Sequence, residues 1–483
     1  MEDEKDTKGL TVKKEEDVSK WYTEVIQKAD LMAYTDVSGC IIFKPHSYAM
    51  WEIIQREVDN RLKALGVQNA YFPLFIPESH LSKEADHVEG FAPEVAWVTH
   101  AGETKLDERL AVRPTSETIM YPAYSEWIRS WRDLPLRLNQ WNNVIRWEFK
   151  HAVPFLRTRE FLWNEGHTVF ATQAEAEAER EPIINMYLEV LKDFMAIYGS
   201  PGIKSEKEKF AGAVYTCSIE SFLPIGKAIQ GPDFHHDGQN FAKAYDIKFM
   251  DPDDKEQYAW QNTWAITTRM IGVMVMMHGD NKGLVLPPPI APIQAVIVPI
   301  LKTGDNKDVL DRADKIKELL SEEYRVHLDD RENYTPGWKF NEWEMKGVPL
   351  RIEIGPKDLA ADQAVLVRRD NREKNFVKTD DIVETTKVIL DDIHRMLYKQ
   401  SEENFQNAIV DVTNMDELKQ AISEKKMVLV PYCNDGECEE SIKEETGGAK
   451  TLNSPFDKPV QEGAKCIRCG KDAKMNIYVA KSY

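Results

Sequence analysis

The sequence predicts an α+β core, followed by a small α/β domain and a separate cysteine-bearing module. Charged residues alternate with large aromatics on both sides of a proline-containing turn in RWEFKHAVPFLRTREFLWNEGHTVF, a pattern typical of a β-hairpin. Short apolar strands alternate with amphipathic segments after about residue 290, which indicates an α/β domain. Four of the six cysteines lie in the last fifty or so residues, apart from both regions.

Length and composition indicate a globular protein of several domains. The chain has 483 residues, of which 42% are hydrophobic and 30% are charged, and this is too long for one compact core. No apolar run approaches the roughly 18 to 20 residues that span a bilayer, so we expect no membrane association. The highly charged start MEDEKDTKGLTVKKEEDVSK has no apolar region, and we expect a flexible tail over residues 1–20 rather than a signal peptide.

Charge and cysteine usage narrow the class of protein further. A net charge of −19 argues against indiscriminate binding of polyanions, although 62 Lys and Arg residues could be unevenly placed. Cys40 and Cys217 are isolated in the sequence, so a disulfide framework is not expected. We therefore expect a reducing, cytoplasmic location.

The predicted core covers residues 21–289. A helix spans Tyr48–Gly66, the strand NAYFPLFIP follows it, and LPLRLNQWNNVIRWEF leads into the hairpin. The segment Ala174–Tyr198 reads as helix with a break or new start at Pro182. TTRMIGVMVMMHGD is apolar on nearly all sides and predicts a buried helix beginning near Thr268. The prolines of LVLPPPIAPIQ then mark a domain boundary.

The α/β domain is expected over residues 290–400 and the last module over 401–483. The strands AVIVPI, RVHLDD, PLRIEIG and AVLVRRD alternate with segments such as DVLDRADKIKELL, which predicts a mixed or parallel sheet. The helix DIVETTKVILDDIHRMLYKQ closes this domain.

The four late cysteines fall as Cys433-x4-Cys438 and Cys466-x2-Cys469. Two close pairs on separate turns can supply four thiolates in a tetrahedron around Zn²⁺, and the doubled spacing disfavours four incidental thiols. A four-cysteine set leaves no open position on the metal. The expected zinc is therefore structural rather than catalytic.

The hairpin can be interpreted in two ways. In the first interpretation, Arg146–Phe149 and Arg157–Glu165 are paired strands, and Arg146 and Glu148 lie on the same face of the first strand. One face of the second strand then carries every other residue, namely Arg157, Arg159, Phe161, Trp163 and Glu165. Guanidinium groups bind phosphates and aromatics stack on bases, which favours a ligand site. A solvated hairpin held by surface ion pairs explains the same pattern equally well.

Two other segments favour a ligand site. AVRPTSETIMYP places Thr115, Ser116 and Glu117 at a polar turn, where hydroxyls and a carboxylate could hold an amino acid's ammonium group, although Thr-Ser-Glu is more often a helix cap. WAITTRMIGV places Thr267 and Arg269 at the start of the buried helix, where an anion would meet backbone donors, although such an arginine could equally lie on the surface. The chain has no P-loop or Gly-x-Gly dinucleotide motif, so arginines and a sheet would have to hold any nucleotide.

Together these segments resemble the prolyl-tRNA synthetase family of the archaeal and eukaryotic type, from roughly Trp21 to Tyr483. The resemblance rests on the order RPTSE, RWEFKH with PFLRTREFLWNEGH, HHDGQNF, TTR with HGDNKGLVLPP, PGWKFNEWEMKGVPLRIEIGP and the cysteine pairs. It implies a class II synthetase core with an antiparallel sheet and flanking helices, an α/β anticodon-binding domain, and a small zinc-binding C-terminal domain. The helix Tyr48–Gly66 is similar to the family's dimer-forming motif, which implies a homodimer.

The resemblance also implies site residues and a reaction. It implies that L-proline and ATP with Mg²⁺ form a prolyl-adenylate with release of pyrophosphate, and that the prolyl group then passes to the terminal ribose of tRNA(Pro). Arg146 and Arg269 would be catalytic. ATP would be bound by Arg146, Glu148, Arg157, Phe161, Gln230, Thr267 and Arg269. Proline would be bound by Thr115, Glu117, Arg146, Trp163, Glu165 and His235. Zinc would be bound by Cys433, Cys438, Cys466 and Cys469.

Further expectations concern positions outside these sets. Asp233 stands where the family commonly has threonine, and a carboxylate there would repel phosphate unless it is paired or faces Mg²⁺. The 97 positions from His167 to Trp264 leave no room for the editing insertion of bacterial-type relatives. The terminal carboxylate at Tyr483 is expected to point towards the active site. The basic residues proposed for anticodon or backbone contacts are Lys339, Arg351, Arg368 and Arg369, although an ordinary solvent-exposed base explains any one of them slightly better.

Two alternative functions remain open from the sequence. One is another class II synthetase, for threonine, glycine or histidine. The other is a non-catalytic descendant that binds tRNA, which the joint presence of Arg146, Glu148, Arg157 and Arg269 disfavours because a scaffold needs no phosphate clamp.

Overall fold

The largest element of the fold is an eight-stranded sheet in the first part of the chain. A computed structural model of the chain describes residues 9–81, 94–148, 151–302 and 304–483. The strands up to residue 265 are β1 (Met32–Tyr34), β2 (Ile41–Phe43), β3 (Gln68–Asn69), β4 (Phe75–Pro77), β5 (Trp97–Ala101), β6 (Thr104–Val112), β7 (Leu136–Ile145), β8 (Glu160–Phe170), β9 (Ser200–Ile203), β10 (Tyr215–Leu223), β11 (Lys227–Gly238), β12 (Lys248–Met250), β13 (Glu256–Tyr258) and β14 (Trp260–Ala265).

Helices flank this sheet. They are α1 (Val18–Lys28), α2 (Pro45–Ala64), α3 (Glu117–Trp127), α4 (Gln173–Ala178), α5 (Arg180–Asp193), α6 (Asn240–Ala244) and α7 (Arg269–His278). Buried side chains of α1, α2, α5 and α7 form one apolar core with β10, β11 and β14. Burial of this apolar surface is the main force that holds the helices on the sheet.

The sequence located most of these elements, with shifted ends. The helix expected over Tyr48–Gly66 begins at Pro45 and ends at Ala64. Pro182 lies in the first turn of α5 and marks a new helix, as expected, because proline is tolerated where the backbone N–H has no partner. The buried helix has Thr268 at its N-cap, and its residues from Met270 to Met277 are all buried.

Of the flexible tail expected over residues 1–20, residues 1–8 lie outside the described residues, and residues after them make defined contacts with the core. Asp17 caps α1 by accepting hydrogen bonds from two backbone N–H groups. The Lys14 ammonium donates to the carbonyls of Met276 and Gly279, at 2.7 and 2.8 Å, and so caps the end of α7. The charged composition of this segment gives no sign of the Lys14 contacts, because they join residues more than 260 positions apart.

The order of the main sheet is β3-β7-β8-β14-β11-β10-β9-β23, where β23 (Ser454–Pro455) belongs to the end of the chain. The pairing of β3 with β7 is parallel, and all other neighbours in this sheet are antiparallel. The antiparallel class II core is thereby confirmed. Its last strand, however, comes from the cysteine-bearing module.

The α/β domain contains a five-stranded mixed sheet of order β16-β15-β17-β18-β19. Its elements are β15 (Ala295–Pro299), α8 (Lys307–Ser321), β16 (Val326–Leu328), α9 (Pro336–Met345), β17 (Leu350–Ile354), α10 (Pro356–Ala360), β18 (Gln363–Arg368), β19 (Lys374–Lys378) and α11 (Ile382–Ala408). Strand β15 is parallel to both of its neighbours, and the other two pairings are antiparallel. Because α11 is continuous for 27 residues, the boundary expected between residues 400 and 401 falls inside a helix.

The last module holds a four-stranded sheet of order β20-β21-β24-β22. Its elements are β20 (Ile409–Val410), α12 (Met415–Ser423), β21 (Met427–Tyr432), α13 (Gly436–Glu445), β22 (Ala449–Thr451), β23 and β24 (Met475–Lys481). Among the described parts of the chain, no helix combines the length and apolarity needed to cross a bilayer.

Candidate active site

A cavity of about 340 Å³ opens between the β7–β8 hairpin, strands β11 and β14, and the start of α7. All but one of the residues expected to bind ATP or proline line it. They are Thr115, Glu117, Arg146, Arg157, Phe161, Trp163, Glu165, Gln230, His235, Thr267 and Arg269. The fold therefore gathers residues that are spread over more than 150 positions of the sequence.

The register of the hairpin explains why alternate residues meet in the cavity. Strands β7 and β8 pair antiparallel, with Phe161 opposite Val144 and Trp163 opposite Asn142. Because side chains alternate across a strand, Phe161, Trp163 and Glu165 project together into the cavity. The Arg146 N–H donates to the carbonyl of Arg159 at 2.8 Å, so pairing continues one step beyond the end of β7.

The expected strand limits were wrong at the turn of the hairpin. Strand β7 ends at Ile145 and β8 begins at Glu160, so Arg157 and Arg159 precede the alternating strand. The Arg159 N–H donates to the carbonyl of Gly39, and its guanidinium donates to the carbonyl of Ser38. Arg159 is therefore not among the residues that line the cavity.

Glu148 is the expected site residue that the structure does not bring to the cavity. Its side chain is exposed and is not part of the cavity wall. The next two positions, Phe149 and Lys150, lie outside the described residues. The proposed role of Glu148 at the adenine amino group stays a prediction.

Two of the glutamates that line the cavity, Glu117 and Glu165, have different surroundings. Glu165 accepts hydrogen bonds from the Ser116 N–H at 3.0 Å, from Asn142 Nδ2 at 2.8 Å, and from the hydroxyls of Thr115 and Ser116. Burial alone would raise the pKa of Glu165, but donors from His167, Ser116 and Asn142 outweigh it and hold the pKa below its usual value. Glu165 is a buried carboxylate satisfied by the protein.

Glu117 has far fewer protein donors than Glu165. It is 4% exposed, and within the described residues only the Thr115 hydroxyl donates to its carboxylate. A buried carboxylate with open acceptor positions requires a cationic partner, because an unpaired buried charge is costly. A substrate ammonium group in this part of the cavity would supply that partner.

Aromatic rings close the same part of the cavity. The Phe210 ring lies 4.7 Å from the His235 ring, tilted by 33°. His235 Nδ1 pairs with Thr216 Oγ1 at 2.9 Å, and burial lowers the pKa of His235 despite the opposing charge of Asp233. Trp163 Nε1 donates to Asn142 Oδ1 at 2.6 Å, which fixes its indole ring. The result is a small apolar enclosure beside Glu117.

Arg146 connects the two parts of the cavity. Its Nε donates to the carbonyl of Pro114 at 3.0 Å, and its guanidinium lies over the rings of Phe161 and Trp163, at 5.6 and 5.2 Å from their centroids. Within the described residues, Nε is the only atom of its guanidinium that has a hydrogen-bond partner. The terminal nitrogens are therefore oriented for an anionic ligand.

Two further arginines line the other part of the cavity. Arg269 is the first residue of α7, and its guanidinium donates to the carbonyls of Leu156 and Gln230 at 3.3 and 3.4 Å. Arg157 is exposed on the loop between the hairpin strands. Three cationic groups and the N-terminus of a helix thus converge on one space, which suits a polyphosphate.

Asp233 lies between these groups and is paired. It accepts a hydrogen bond from Gln230 Nε2 at 2.8 Å, and its other oxygen lies 3.7 Å from His235 Nε2. Its charge also faces Arg269. Because these neighbours offset the carboxylate, Asp233 is compatible with an anionic ligand in the cavity.

Sequence reasoning missed several residues that line the cavity, and also Asn142, which does not line it but bonds to Trp163 and Glu165. His167 lies two positions beyond Glu165 on the same face of β8, so a longer reading of the alternation would have found it. Asn142 faces Trp163 across the hairpin and needed the register. Phe210 and Lys204 lie in a connection between strands, where no periodic pattern marks them.

A second cavity of about 170 Å³ adjoins the first and shares Arg157, Gln230 and Arg269 with it. Tyr483 lines this cavity, and its N–H donates to the carbonyl of Ala228 in β11 at 3.0 Å. The end of the chain therefore lies beside the candidate active site. The direction of its carboxylate stays a prediction.

The basic residues proposed for the anticodon were wrong in three of the four positions. Lys339, Arg368 and Arg369 are buried and form ion pairs with Asp329, Asp370 and Asp280. Buried and paired side chains of this kind are not available to a nucleic acid. Arg351 is only partly buried, with its guanidinium 4.1 Å from the Phe340 ring centroid, and its role stays a prediction.

The four late cysteines form one cluster. Their sulfur atoms all lie within 4.8 Å of one another, and the Sγ atoms of Cys433 and Cys469 are 3.8 Å apart. A tetrahedron with Zn–S bonds of about 2.3 Å has edges of about 3.8 Å, so the donor set fits a zinc ion. Glu117, Glu165 and His167 also lie close enough for a metal, but the oxygens of Glu165 already accept protein hydrogen bonds.

Three family profiles match successive parts of the chain. The class II core domain of the synthetases for G, H, P, S and T matches residues 98–278, and an anticodon-binding domain matches residues 294–388. The C-terminal domain of prolyl-tRNA synthetase matches residues 415–483.

Similar proteins extend these matches to the whole chain. "Proline--tRNA ligase, cytoplasmic" of Arabidopsis thaliana is 49% identical, with 98% of this chain and 91% of the relative covered. "Proline--tRNA ligase" of Natranaerobius thermophilus is 48% identical, with 97% of each covered. A crystal structure of prolyl-tRNA synthetase from Cryptosporidium parvum, in complex with halofuginone and AMPPNP, superposes with a TM-score of 0.95 at 45% identity, covering 99% of this chain and 100% of the other.

Proposed function

The chain belongs to the prolyl-tRNA synthetase family, and from this premise we propose how its cavity performs the reaction. It is a proline–tRNA ligase, which attaches L-proline to tRNA(Pro) at the expense of ATP. The observation that supports our assignment best is the polarity of the cavity. The open carboxylate of Glu117 lies at one end, and the guanidinium groups of Arg157 and Arg269 lie at the other.

Proline occupies the enclosure beside Glu117. Its secondary ammonium group pairs with the Glu117 carboxylate, and the Thr115 hydroxyl, which bridges Glu117 and Glu165, completes the polar floor. The pyrrolidine ring lies among Trp163, Phe210 and His235, whose rings close this part of the cavity. Glu165 also lines the cavity, and its hydrogen bonds to Thr115 and Ser116 fix the polar floor on which the substrate lies.

ATP enters as its Mg²⁺ complex and occupies the other part. Arg146 binds the α-phosphate, because its guanidinium lies between the two substrate regions. Arg157 and Arg269 bind the outer phosphates from opposite sides. Phe161 contacts the adenine ring, with Gln230 and Thr267 near the nucleotide. The AMPPNP complex of the Cryptosporidium relative supports a nucleotide in this cavity.

The chemistry follows from positioning and charge neutralisation. A carboxylate oxygen of proline attacks the α-phosphorus in line, the bond to the bridging oxygen breaks, and pyrophosphate leaves. A hydroxyl of the terminal ribose of tRNA then attacks the prolyl carbonyl, and AMP leaves. The arginines stabilise the charge that develops on the phosphorus oxygens, so the first step needs no side-chain nucleophile.

A structural zinc ion is proposed for the last module. Cys433, Cys438, Cys466 and Cys469 would hold it, and their sulfur spacing fits a tetrahedral site. When bound, the ion ties the loop after β21 to the turn before β24. A set of four cysteine ligands leaves no open position on the metal, which supports a structural rather than a catalytic role.

A homodimer is proposed from the exposed apolar surface around α2. Large apolar side chains between residues 34 and 75 are exposed, namely Tyr34, Val37, Ile42, Tyr48, Leu65, Tyr71 and Phe75. Exposed apolar side chains that come together in one patch mark an interaction surface. The segment includes the helix expected to belong to the dimer-forming motif.

Anticodon recognition is proposed for the exposed aromatic surface at the start of α9. The Tyr334 and Trp338 rings stack with centroids 3.9 Å apart, and the Arg331 guanidinium lies over both. Such a platform can stack unpaired bases. The anticodon-binding profile that spans this surface supports the proposal. A cytoplasmic location is proposed because the similar protein of Arabidopsis thaliana is named as a cytoplasmic proline--tRNA ligase.

The rival specificities are disfavoured by the cavity. A threonine enzyme of the metal-dependent kind would need free ligands in the core, but Glu165 is occupied by protein donors. ATP-dependent charging of tRNA transcripts with labelled amino acids tests the assignment. We expect tRNA(Pro) to be charged with proline and a transcript with two changed anticodon bases to be charged poorly. Efficient charging of a threonine, glycine or histidine tRNA would contradict it.

A further inference from the structure

The wall of the proline region includes a segment that is held from outside the catalytic core. Residues 204–210 form the first part of the connection from β9 to β10, and we call them the pocket-wall segment. Lys204, Glu208 and Phe210 of this segment line the main cavity. The Phe210 ring contacts His235, and its N–H donates to Thr216 Oγ1 at 2.9 Å. The position of this segment therefore sets the size of the enclosure for the pyrrolidine ring.

Consecutive residues of the pocket-wall segment contact the cysteine-bearing module. Ser205 Oγ donates to Glu439 Oε2 at 2.7 Å, and the Glu206 N–H donates to Asn434 Oδ1 at 2.8 Å. Lys207 forms an ion pair with Glu440. Glu208 lies 3.7 Å from the Lys450 ammonium. Every residue from Ser205 to Glu208 thus has a partner in the last module.

Two of these partners, Asn434 and Glu439, are adjacent in sequence to cysteines. Asn434 directly follows Cys433, and Glu439 directly follows Cys438. Glu439 is 4% exposed and also lies 3.4 Å from the Tyr432 hydroxyl, so the buried side of the module fixes it. The positions of Cys433 and Cys438 therefore determine where Asn434 and Glu439 meet Glu206 and Ser205.

The module also fixes the strand that precedes the segment. Strand β23 pairs with β9, and Asn453 Nδ2 donates to the carbonyls of Ser200 and Ser218 at 2.9 Å each. A Cβ atom at Gly202 would lie 2.3 Å from the Ser454 carbonyl oxygen, so only glycine allows this approach. Within the described residues, the pocket-wall segment itself forms neither helix nor strand, and these external contacts fix its course.

We propose that the cysteine-bearing module is a positioning device for proline: through Asn434 and Glu439 it holds the pocket-wall segment, and so Phe210, against the substrate enclosure. This inference rests on the proposed assignment of that enclosure to proline. It gives the module a role in amino-acid affinity, beyond the stability of its own fold. None of its residues needs to touch the substrate.

Two variants weaken the contacts without touching the cavity. Asn434→Gly removes the acceptor for the Glu206 N–H, and glycine accepts the φ of 60° found at this position. Ser205→Ala removes the donor to Glu439, and it also removes the acceptor of the Glu208 N–H within the segment, so Asn434→Gly is the more selective of the two variants. Glu206→Ala is the matched control, because the exposed Glu206 side chain takes no part in the contact, whereas its backbone N–H remains.

The first measurement is proline-dependent ATP–pyrophosphate exchange. We expect the KM for proline to rise about three- to tenfold in each test variant, as for loss of one hydrogen bond, with the KM for ATP changed less than twofold. The control should behave as wild type. An equal rise in both KM values, or an unchanged KM for proline in both test variants, would overturn the proposal.

The second measurement does not depend on the substrate assignment. Hydrogen exchange of the Phe210 amide reports the segment directly, because this amide bonds to Thr216 and not to the module. We expect exchange at least fivefold faster in Asn434→Gly and Ser205→Ala, but not in Glu206→Ala. Unchanged hydrogen exchange of the Phe210 amide in both test variants would contradict the positioning role of the cysteine-bearing module. Faster exchange in a protein whose wild type shows no proline-dependent reaction would instead contradict the proposed function.

Discussion

The Arg369 guanidinium donates two hydrogen bonds to the carboxylate of Asp280, at 2.9 and 2.7 Å. Arg369 follows β18 of the α/β domain, whereas Asp280 follows α7, the helix that begins with Arg269. Burial alone would raise the pKa of Asp280, but the hydrogen bonds from Arg369 hold it below its usual value. One ion pair therefore joins the anticodon-binding domain to the far end of α7, the helix that begins at the candidate active site.

Removing this ion pair should weaken the docking of the two domains. Asp280→Ala leaves the Arg369 side chain, which is 2% exposed, without its counter-charge. We expect a loss of about 2 to 3 kcal/mol in unfolding free energy, less than for a fully buried pair because Asp280 is partly exposed. Denaturant unfolding monitored by fluorescence measures it.

Arg372→Ala is the control for the Asp280 variant. Arg372 is 57% exposed and lies 4.0 Å from the same carboxylate, so it is a weak surface partner. Its loss should cost less than about 0.5 kcal/mol. Equal stability of wild type and Asp280→Ala would show that the ion pair does not hold the domains together.

Glu117→Gln should reduce proline use selectively. The change keeps the shape of the side chain but removes the charge that faces the substrate ammonium. We expect kcat/KM for proline to fall about 10- to 100-fold in pyrophosphate exchange, because a charge-assisted hydrogen bond is worth about 1.5–3 kcal/mol. The KM for ATP should change less than threefold. Glu126→Gln, at an exposed position of the same helix, should have no effect.

His278 should make stability depend on pH. Its Nε2 pairs with the carbonyl of Met195 at 2.9 Å, and burial lowers the pKa of His278 to about 4. The unfolded chain, with an ordinary pKa near 6.5, binds the proton first as pH falls. The contribution of the neutral imidazole to the free energy of unfolding is thus fully present above about pH 6.5, and it is lost as the pH falls towards 4.

A His278→Gln variant isolates this effect, because glutamine can still donate to Met195 but does not titrate. Between pH 7 and pH 5 the wild type should lose about 2 kcal/mol more unfolding free energy than the variant, from the difference between the two pKa values. Denaturant unfolding at both pH values measures it. Identical pH dependence of the two proteins would contradict the burial of a neutral His278.

Alanine should be misactivated. The elements from α4 to β13, which lie between β8 and β14, belong to the core or flank it, so residues 171–259 contain no inserted domain. A steric pocket rejects a smaller side chain by only about 1 to 3 kcal/mol per methylene, so kcat/KM for alanine should lie roughly 10²- to 10⁴-fold below that for proline. Pyrophosphate exchange measures this ratio. Deacylation of alanyl-tRNA(Pro) by the purified chain would contradict the absence of correction.

Most residues of the candidate site could be predicted from the sequence, because the periodic patterns of strands and helices show which side chains share a face. Phe161 and Trp163 lie on one face of β8, as alternation predicts, and Arg269 begins a buried helix whose apolar run is visible in the sequence. The alternation misplaced Arg159, because the strand begins one residue later and the backbone there bonds to Gly39. Periodicity was therefore reliable within the strand and unreliable at its end.

What the sequence could not show depends on distant partners. Arg369 looked like a solvent-exposed base, but its partner Asp280 is 89 positions away. The contribution of β23 to the main sheet joins positions 202 and 455, and no local pattern marks a two-residue strand. The different roles of Glu117 and Glu165 depend on how many donors surround each carboxylate, which only the folded arrangement determines.

Amino-acid-dependent ATP–pyrophosphate exchange tests the central claim most directly, run with proline, threonine, glycine and histidine on wild type, Arg146→Ala and Arg159→Ala. We predict exchange with proline alone among the four, a fall of about 10²- to 10³-fold or more in Arg146→Ala, and less than a threefold change in Arg159→Ala. Exchange driven by another of these amino acids, no exchange from the folded wild type, or near-normal exchange by Arg146→Ala would contradict the account.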